Sequence, residues 1–235
     1  KYCIYNMVAV IGDIHGCYHT LVELYNKIKE RYPEIPVYSV GDFIDRGHFS
    51  YEVVNFVVEN KIYFTPGNHD YMMYHFFKDS QSVFAHSWVF NGSESTLASY
   101  EKIETAIFNH IEIIRKAPLY FNLDDCFICH AGISSHYRKM VPPDFQNDLD
   151  SLYHIIYGDY SSDHGVLWTR DTLMNIGKLQ VVGHTTHKEI TFVDEANAVY
   201  IDTGACVGNK LSAVIVHENK IIDTLAQKTN INDII

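Results

Sequence analysis

Residues 7–16 read Met7-Val8-Ala9-Val10-Ile11-Gly12-Asp13-Ile14-His15-Gly16: five apolar residues, a glycine, then a carboxylate and an imidazole two positions apart. An unbroken apolar run this short, ended by glycine, is the pattern of a strand buried on both faces. Side chains two apart in an extended segment point the same way, so Asp13 and His15 form a natural clamp for one metal ion.

The same grammar returns four times along the chain. Val37-Tyr38-Ser39-Val40 runs into Gly41-Asp42-Phe43-Ile44-Asp45-Arg46-Gly47, and Ile62-Tyr63-Phe64 precedes Gly67-Asn68-His69-Asp70. Cys126-Phe127-Ile128-Cys129 leads into His130-Ala131-Gly132, and Val181-Val182 into Gly183-His184-Thr185. Between the early strands, Leu21, Leu24, Tyr25, Ile28 and Tyr32 recur at helical spacing up to Pro33, and Tyr51, Val54 and Val58 mark a second helix. Strand and helix in alternation predict an α/β layered architecture. Residues 71–118 read as a mostly helical insertion, with Ile103, Ala106, Ile107, Ile111 and Ile114 as its clearest face. After Pro118 come short strands at 126–129, 180–182, 190–193, 199–201 and 211–216 with little helix between them, so two packed sheets flanked by helices are expected within one domain spanning 1–235. Residues 133–165, rich in tyrosine and carrying Pro142-Pro143, fit neither period and read as a surface excursion.

Open α/β sheets place their sites at the carboxyl ends of strands, so five polar strand ends can meet in one crevice. Asp42, Asn68, His130 and His184 add oxygen and nitrogen donors to Asp13 and His15, a mixture suited to Mn, Fe or Zn. Six ligands exceed the needs of one ion. A shared Asp42 would seat two ions about 3.5–4 Å apart, as in two-metal hydrolytic sites. A strand-terminal Asp or Asn is commonly a turn residue, but turn chemistry alone does not account for five such ends in this order.

The series G-D-I-H-G, G-D-F-I-D-R-G, G-N-H-D, H-A-G and G-H-T resembles the signatures of the phosphoprotein phosphatase family within the calcineurin-like metallophosphoesterases. Trp88-x-x-Asn91-Gly92, Trp168-Thr169-Arg170 and Tyr200-Ile201-Asp202-Thr203-Gly204 resemble its compact bacterial and phage branch, that of the lambda phage protein phosphatase. The resemblance covers roughly Val8 to Val216 and implies an αββα sandwich with two mixed sheets, a dinuclear metal centre at the strand ends and phosphoester hydrolysis by a metal-bridging hydroxide. It implies that Asp13, His15 and Asp42 hold one ion and that Asp42, Asn68, His130 and His184 hold the other. Arg46 and Arg170 would grip the phosphoryl oxygens. His69, oriented by Asp45, would protonate the leaving group. The cofactors implied are two divalent ions, manganese in vitro with iron or zinc as alternatives. The leading expectation is a serine/threonine protein phosphatase, extending to dual specificity. The alternative is hydrolysis of diadenosine tetraphosphate-type dinucleoside polyphosphates, since G-N-H-D with Asp70 is seen in those hydrolases where protein phosphatases usually read G-N-H-E. A non-catalytic metal-binding scaffold predicts eroded ligands, and none is eroded here.

Composition sets the outer bounds. Lys and Arg total 18 against 29 Asp and Glu, a formal charge of -11. That balance disfavours nucleic-acid and anionic-lipid partners and leaves phosphorylated proteins or small phosphorylated molecules as expected substrates. The sequence shows no apolar stretch of membrane-spanning length and no signal-peptide core, so the expected compartment is the cytoplasm. Five scattered cysteines make a poor disulfide framework. Cys126-x-x-Cys129 sits in an apolar run and reads as buried strand, and Cys17 as packing at a helix start. Asp202-Thr203-Gly204, the triplet of aspartic proteases, occurs once and carries no such activity alone. No P-loop, H-E-x-x-H or G-x-S-x-G is present. Of the histidines outside the signatures, His48 and His187 are the two placed to line the groove.

Overall fold

A computed structural model describes residues 7–234; Cys3 lies outside them. The run that opens the sequence is strand β1 (Met7–Ile11). It is followed by α1 (Tyr18–Arg31), β2 (Val37–Ser39), α2 (Ser50–Glu59) and β3 (Tyr63–Phe64). Strands β1, β2 and β3 pair in parallel, as strand–helix–strand units require. Four helices then succeed one another: α3 (Asn68–Lys78), α4 (Val83–Val89), α5 (Ser93–Tyr100) and α6 (Glu104–Lys116). The second half supplies β4 (Tyr120–Asn122), β5 (Phe127–Cys129), α7 (Tyr153–Asp159), β6 (Gln180–Val182), β7 (Thr191–Val193), β8 (Ala198–Tyr200), β9 (Lys210–His217) and β10 (Lys220–Lys228).

These strands form two mixed five-stranded sheets, ordered β10-β9-β1-β2-β3 and β4-β5-β6-β8-β7. The first half of the chain cannot close its own sheet. Strand β9 returns from the far end of the sequence to pair antiparallel with β1, Met7 opposite His217 and Ile11 opposite Ala213.

The period of two decides which core each side chain joins. Val8 and Val10 of β1 point into an apolar layer between the sheets with Ile128, Val181, Val199, Val214 and Val216. Ala9 and Ile11 face the other way, onto α1, α2, α3 and α6 through Leu21, Leu24, Val54 and Ile111. Phe127 and Cys129 face outward from the second sheet, whereas Cys126 and Ile128 face inward. The C-x-x-C cysteines therefore lie in different layers, both buried as free thiols, and burial pushes each up to about 12.

Residues 133–176 cover the outer face of the second sheet. Single 3-10 turns at Ser135–Lys139, Phe145–Asn147 and Leu149–Leu152 lead into α7, and Tyr137, Phe145, Leu152 and Ile156 are buried against Phe127, Val182 and Ala198. The order from outside to outside is helices, sheet, sheet, and this mixed helical cover: an αββα arrangement. Among the described residues, no helix is long and apolar enough to cross a membrane.

Candidate metal centre and active-site cavity

The strand ends of both sheets open on one cavity of about 500 Å³. The first sheet contributes Asp13 and His15 after β1, Asp42, Asp45 and Arg46 after β2, and Asn68 and His69 at the start of α3. The second contributes His130 after β5 and His184 after β6. Asp13, His15, Asp42, Arg46, Asn68, His69, Arg170 and His184 line the cavity. His130 and Asp45 are fully buried directly behind them. All ten residues expected from the sequence are thus brought together. His48 and His187 are not among the lining residues: the His48 amide donates to the Asp233 carbonyl, and His187 borders a separate shallow depression.

Backbone conformation at these strand ends is unusual. Among the described residues, His15, Asp42, Asp45, Arg46 and His184 all have positive φ, between 47° and 71°. Non-glycine residues are held there only when their surroundings over-determine them, and such positions concentrate at functional sites. Two glycines make room for the carboxylates. A β-carbon at Gly67 would collide with the Asp42 side chain, and one at Gly183 with that of Asp13.

Hydrogen bonds fix which atoms face the centre. A backbone carbonyl only accepts, so each ring nitrogen that meets one carries its proton there. Nδ1 of His15 donates to Ile44 O (2.8 Å), Nδ1 of His130 to Val40 O (2.8 Å), and Nε2 of His184 to Trp168 O (3.1 Å). The opposite nitrogens present lone pairs. Those of His130 and His184 lie 3.0 and 2.9 Å from Asn68 Oδ1, and those of His15 and His130 lie 3.4 and 3.6 Å from Asp42 Oδ2. Each central carboxylate spends one oxygen on a backbone N–H: Asp13 Oδ2 accepts from His184 and Asp42 Oδ1 from His69. Asp13 Oδ1 is buried with no partner.

Acceptors facing acceptors in a buried space repel unless a cation sits among them. The ligand-atom distances agree: the donor atoms of Asp13, Asp42 and His130 lie within 4.8 Å of one another, as do those of His15, Asp42 and His69. Both groups contain Asp42. Burial holds His15 and His184 down to about 3, and lowers His130, so all three are neutral imidazoles ready to coordinate. Burial, with the Asp202 and Asp42 carboxylates beside it, drives Asp13 well above the usual carboxylate range. Burial would raise Asp42 too, but a proton on any of the neighbouring His130, His69, His15 and His184 rings favours the ionised carboxylate, and Asp42 is held low. This donor set, with its orphaned carboxylate oxygen, fits two divalent ions sharing Asp42.

His69 belongs to the second group by distance, yet its Nδ1 is engaged, donating to Asp45 Oδ2 at 2.7 Å. Burial opposes its protonation, but Asp42 and Asp45 prevail and raise it. Asp45 also accepts from Trp88 Nε1 (2.9 Å) and Thr96 Oγ1 (2.6 Å). Arg46 reaches over the cavity, with Nη1 2.9 Å from His15 Nε2 and Nη2 3.0 Å from His69 Nε2.

Sequence reading passed over several participants. Trp88 was visible only as part of a motif, and Thr96 gave no signal. Asp202, noticed for a protease triplet, is buried beside Asp13 and anchored by Thr186 Oγ1 and Gly204 N. Trp168 lines the cavity with a buried, unpartnered indole N–H. Asp70, read as a marker of substrate class, faces away from the cavity. Its carboxylate accepts from the amides of Gly67 (2.8 Å), Asp42 (2.9 Å) and Phe43 (3.1 Å), pinning the Asp42 loop to the start of α3.

Residues 7–222 match the sequence profile described as calcineurin-like phosphoesterase. The chain is 32% identical over 237 residues to an asymmetrical bis(5'-nucleosyl)-tetraphosphatase, PrpE, of Bacillus cereus (strain Q1), covering 91% of this chain and 92% of the relative. Among solved structures it resembles one assigned provisionally as a diadenosine tetraphosphatase (TM-score 0.62, 20% identity, 96% of this chain and 95% of that one). It also resembles the cold-active protein-tyrosine phosphatase of a psychrophilic Shewanella (TM-score 0.65, 18% identity, 96% and 81%). At such identities these two structures show the fold alone. Profile, relatives and the acceptor-lined centre agree: this chain belongs to the calcineurin-like phosphoesterases and is a metal-dependent phosphoester hydrolase.

Proposed function

We propose that the protein hydrolyses dinucleoside polyphosphates, cleaving a phosphoanhydride of a small molecule in preference to a phosphoprotein ester. The observation that carries this reading is the end-to-end match to a relative named bis(5'-nucleosyl)-tetraphosphatase, 91% of one chain against 92% of the other. The order of the two substrate readings drawn from the motifs is thereby reversed. The narrower placement with the phage-type protein phosphatases rests on the motif pieces alone.

In this reading Asp13, His15 and Asp42 hold one ion, and Asp42, Asn68, His130 and His184 the other. Bound there, the ions supply Lewis-acid charge and lower the pKa of a water to make a nucleophile. The chain's own residues do the rest. Arg46 and Arg170 present guanidinium groups to the phosphoryl oxygens, where bidentate contact fixes orientation. Asp45, carrying donors from His69, Trp88 and Thr96, locks His69 with Nε2 toward the cavity. Arg46 donates to that same Nε2 when the ring is neutral, so the contact and a proton on Nε2 exclude each other. A phosphoryl group that draws Arg46 away frees Nε2 to carry a proton for any leaving oxygen basic enough to need one, an alkoxide far more than a phosphate.

The test compares diadenosine tetraphosphate with a phosphoserine peptide at equal enzyme and Mn²⁺. A higher kcat/KM on the nucleotide is expected, and preference for the peptide would reverse the assignment. Loss of both, and of p-nitrophenyl phosphate turnover, would leave a metal-binding scaffold.

A further inference from the structure

Helix α4 and the turn after it run along the rim of the active-site cavity and leave large apolar side chains outside the core. Val83 and Ser87 lie one turn apart on this helix, and Phe90 and Asn91 follow in the turn that ends it. Ser87 and Asn91 line the active-site cavity. Val83 and Phe90 are 72% and 87% exposed, and Phe90 directly precedes Asn91. The chain beyond Phe90 is fastened to the site, since the Arg46 amide donates to Gly92 O at 3.5 Å. Trp88, on the opposite side of the helix, is wholly buried with its indole on Asp45. Phe90 is therefore held beside the cavity mouth, next to Asn91, and residues 83–91, Val-Phe-Ala-His-Ser-Trp-Val-Phe-Asn, carry no carboxylate, lysine or arginine, with His86 exposed between Val83 and Phe90.

Resting on the tetraphosphatase reading, we propose that Phe90 is a specificity determinant: its exposed ring stacks on one nucleobase of the substrate while the polyphosphate occupies the metal centre. The cavity of about 500 Å³ is of a size for one drug-sized ligand, and two nucleosides joined by four phosphates exceed it. One nucleoside must leave through the mouth, where an uncharged aromatic surface suits a base and not a polyanion. Every base has a π-face, so such a platform accepts different bases in sequence-tolerant fashion.

The experiment measures kcat/KM for diadenosine tetraphosphate and for p-nitrophenyl phosphate, whose single small ring stays inside the cavity, on wild type, Phe90→Ala and Phe90→Trp. Stacking on an aromatic side chain is strong enough that Phe90→Ala is expected to lower the ratio of the two constants about tenfold, mainly through KM for the nucleotide. Phe90→Trp is expected to keep or raise the ratio. An unchanged ratio in Phe90→Ala, with the wild type active on the nucleotide, overturns the platform and leaves the tetraphosphatase reading standing. A loss in Phe90→Ala confined to a phosphoserine peptide assigns the ring to peptide docking and equally overturns it. A wild type inactive on the nucleotide but active on the aryl phosphate removes the tetraphosphatase reading itself, and the platform with it.

Discussion

Asp45 touches no substrate in this arrangement, yet three side chains converge on it: His69, Trp88 and Thr96. A carboxylate so surrounded holds one imidazole in one orientation, the condition for a positioned acid. The consequence is specific to the leaving group. His69→Asn is expected to cost about 10²–10⁴-fold in kcat on alkyl phosphates, whose alkoxide needs a proton. Loss on phosphoanhydrides and aryl phosphates should be far smaller, because those leave as stable anions. Steady-state rates on both classes check this, and equal losses would take His69 out of the acid role. The orphaned oxygen of Asp13 leads to a second prediction. Asp13→Asn should reduce bound metal per chain, read by elemental analysis after gel filtration, and Gly183→Ala should do the same from a distance by pushing the Asp13 carboxylate aside. The proposed ligand residues were legible in the sequence because they stand at strand ends, most of them beside glycine. The residues that orient them were not, since Thr96 and Trp88 lie on helices far along the chain and reach Asp45 only after packing.

At the scale of elements, α1 has no capping side chain of its own. Its exposed amides are met from the far end of the chain: Asp233 accepts from His19 N (3.0 Å), Thr20 N (2.9 Å) and Thr20 Oγ1 (2.6 Å). Asp233→Ala is expected to cost about 1–2 kcal/mol, a fall in Tm of about 2–8 °C by calorimetry. Helix α6 carries a pH-dependent contact. His110 is buried against Tyr51, and the Tyr100 hydroxyl donates to its Nδ1 at 2.7 Å. Burial lowers His110 from its ordinary 6.5, so the folded state favours the neutral ring. Its contribution is complete above pH 6.5 and is lost as pH falls below that value toward the lowered one. Tm measured from pH 7.5 to 5 should therefore fall less steeply in His110→Gln than in the wild type. The strong apolar runs announced β1, β2, β5, β6 and β9. Strand β10 went unread because its Ile221-Ile222 pair breaks the alternation where the structure has a bulge. Residues 133–165 read as a surface excursion, whereas Tyr137, Phe145, Leu152 and Ile156 are buried against the second sheet, because single 3-10 turns have no period long enough to show.

For the whole molecule, the decisive fact is where the proposed ligands come from. Asp13, His15, Asp42 and Asn68 follow strands of one sheet, His130 and His184 strands of the other. Ions that bind the folded chain alone stabilise it by mass action, about 2.7 kcal/mol at a hundredfold excess over Kd. A rise in Tm of about 5–11 °C on adding Mn²⁺ to stripped protein is expected, reversed by chelator and weakened in Asp13→Asn. The net charge of -11 means that a polyanion must be drawn in by the local field of ions and arginines, so raised salt should weaken nucleotide capture more than turnover.

Between the two sheets lies an apolar layer in which Val8, Val10, Val181, Val199 and Val214 are packed. The distance between the strand ends that carry the proposed ligands is therefore set in part by the thickness of that layer. Swapping a valine there for alanine or isoleucine would retune which divalent ion is preferred without altering a single coordinating atom, and selection for a new metal could act far out of sight of the reaction it serves.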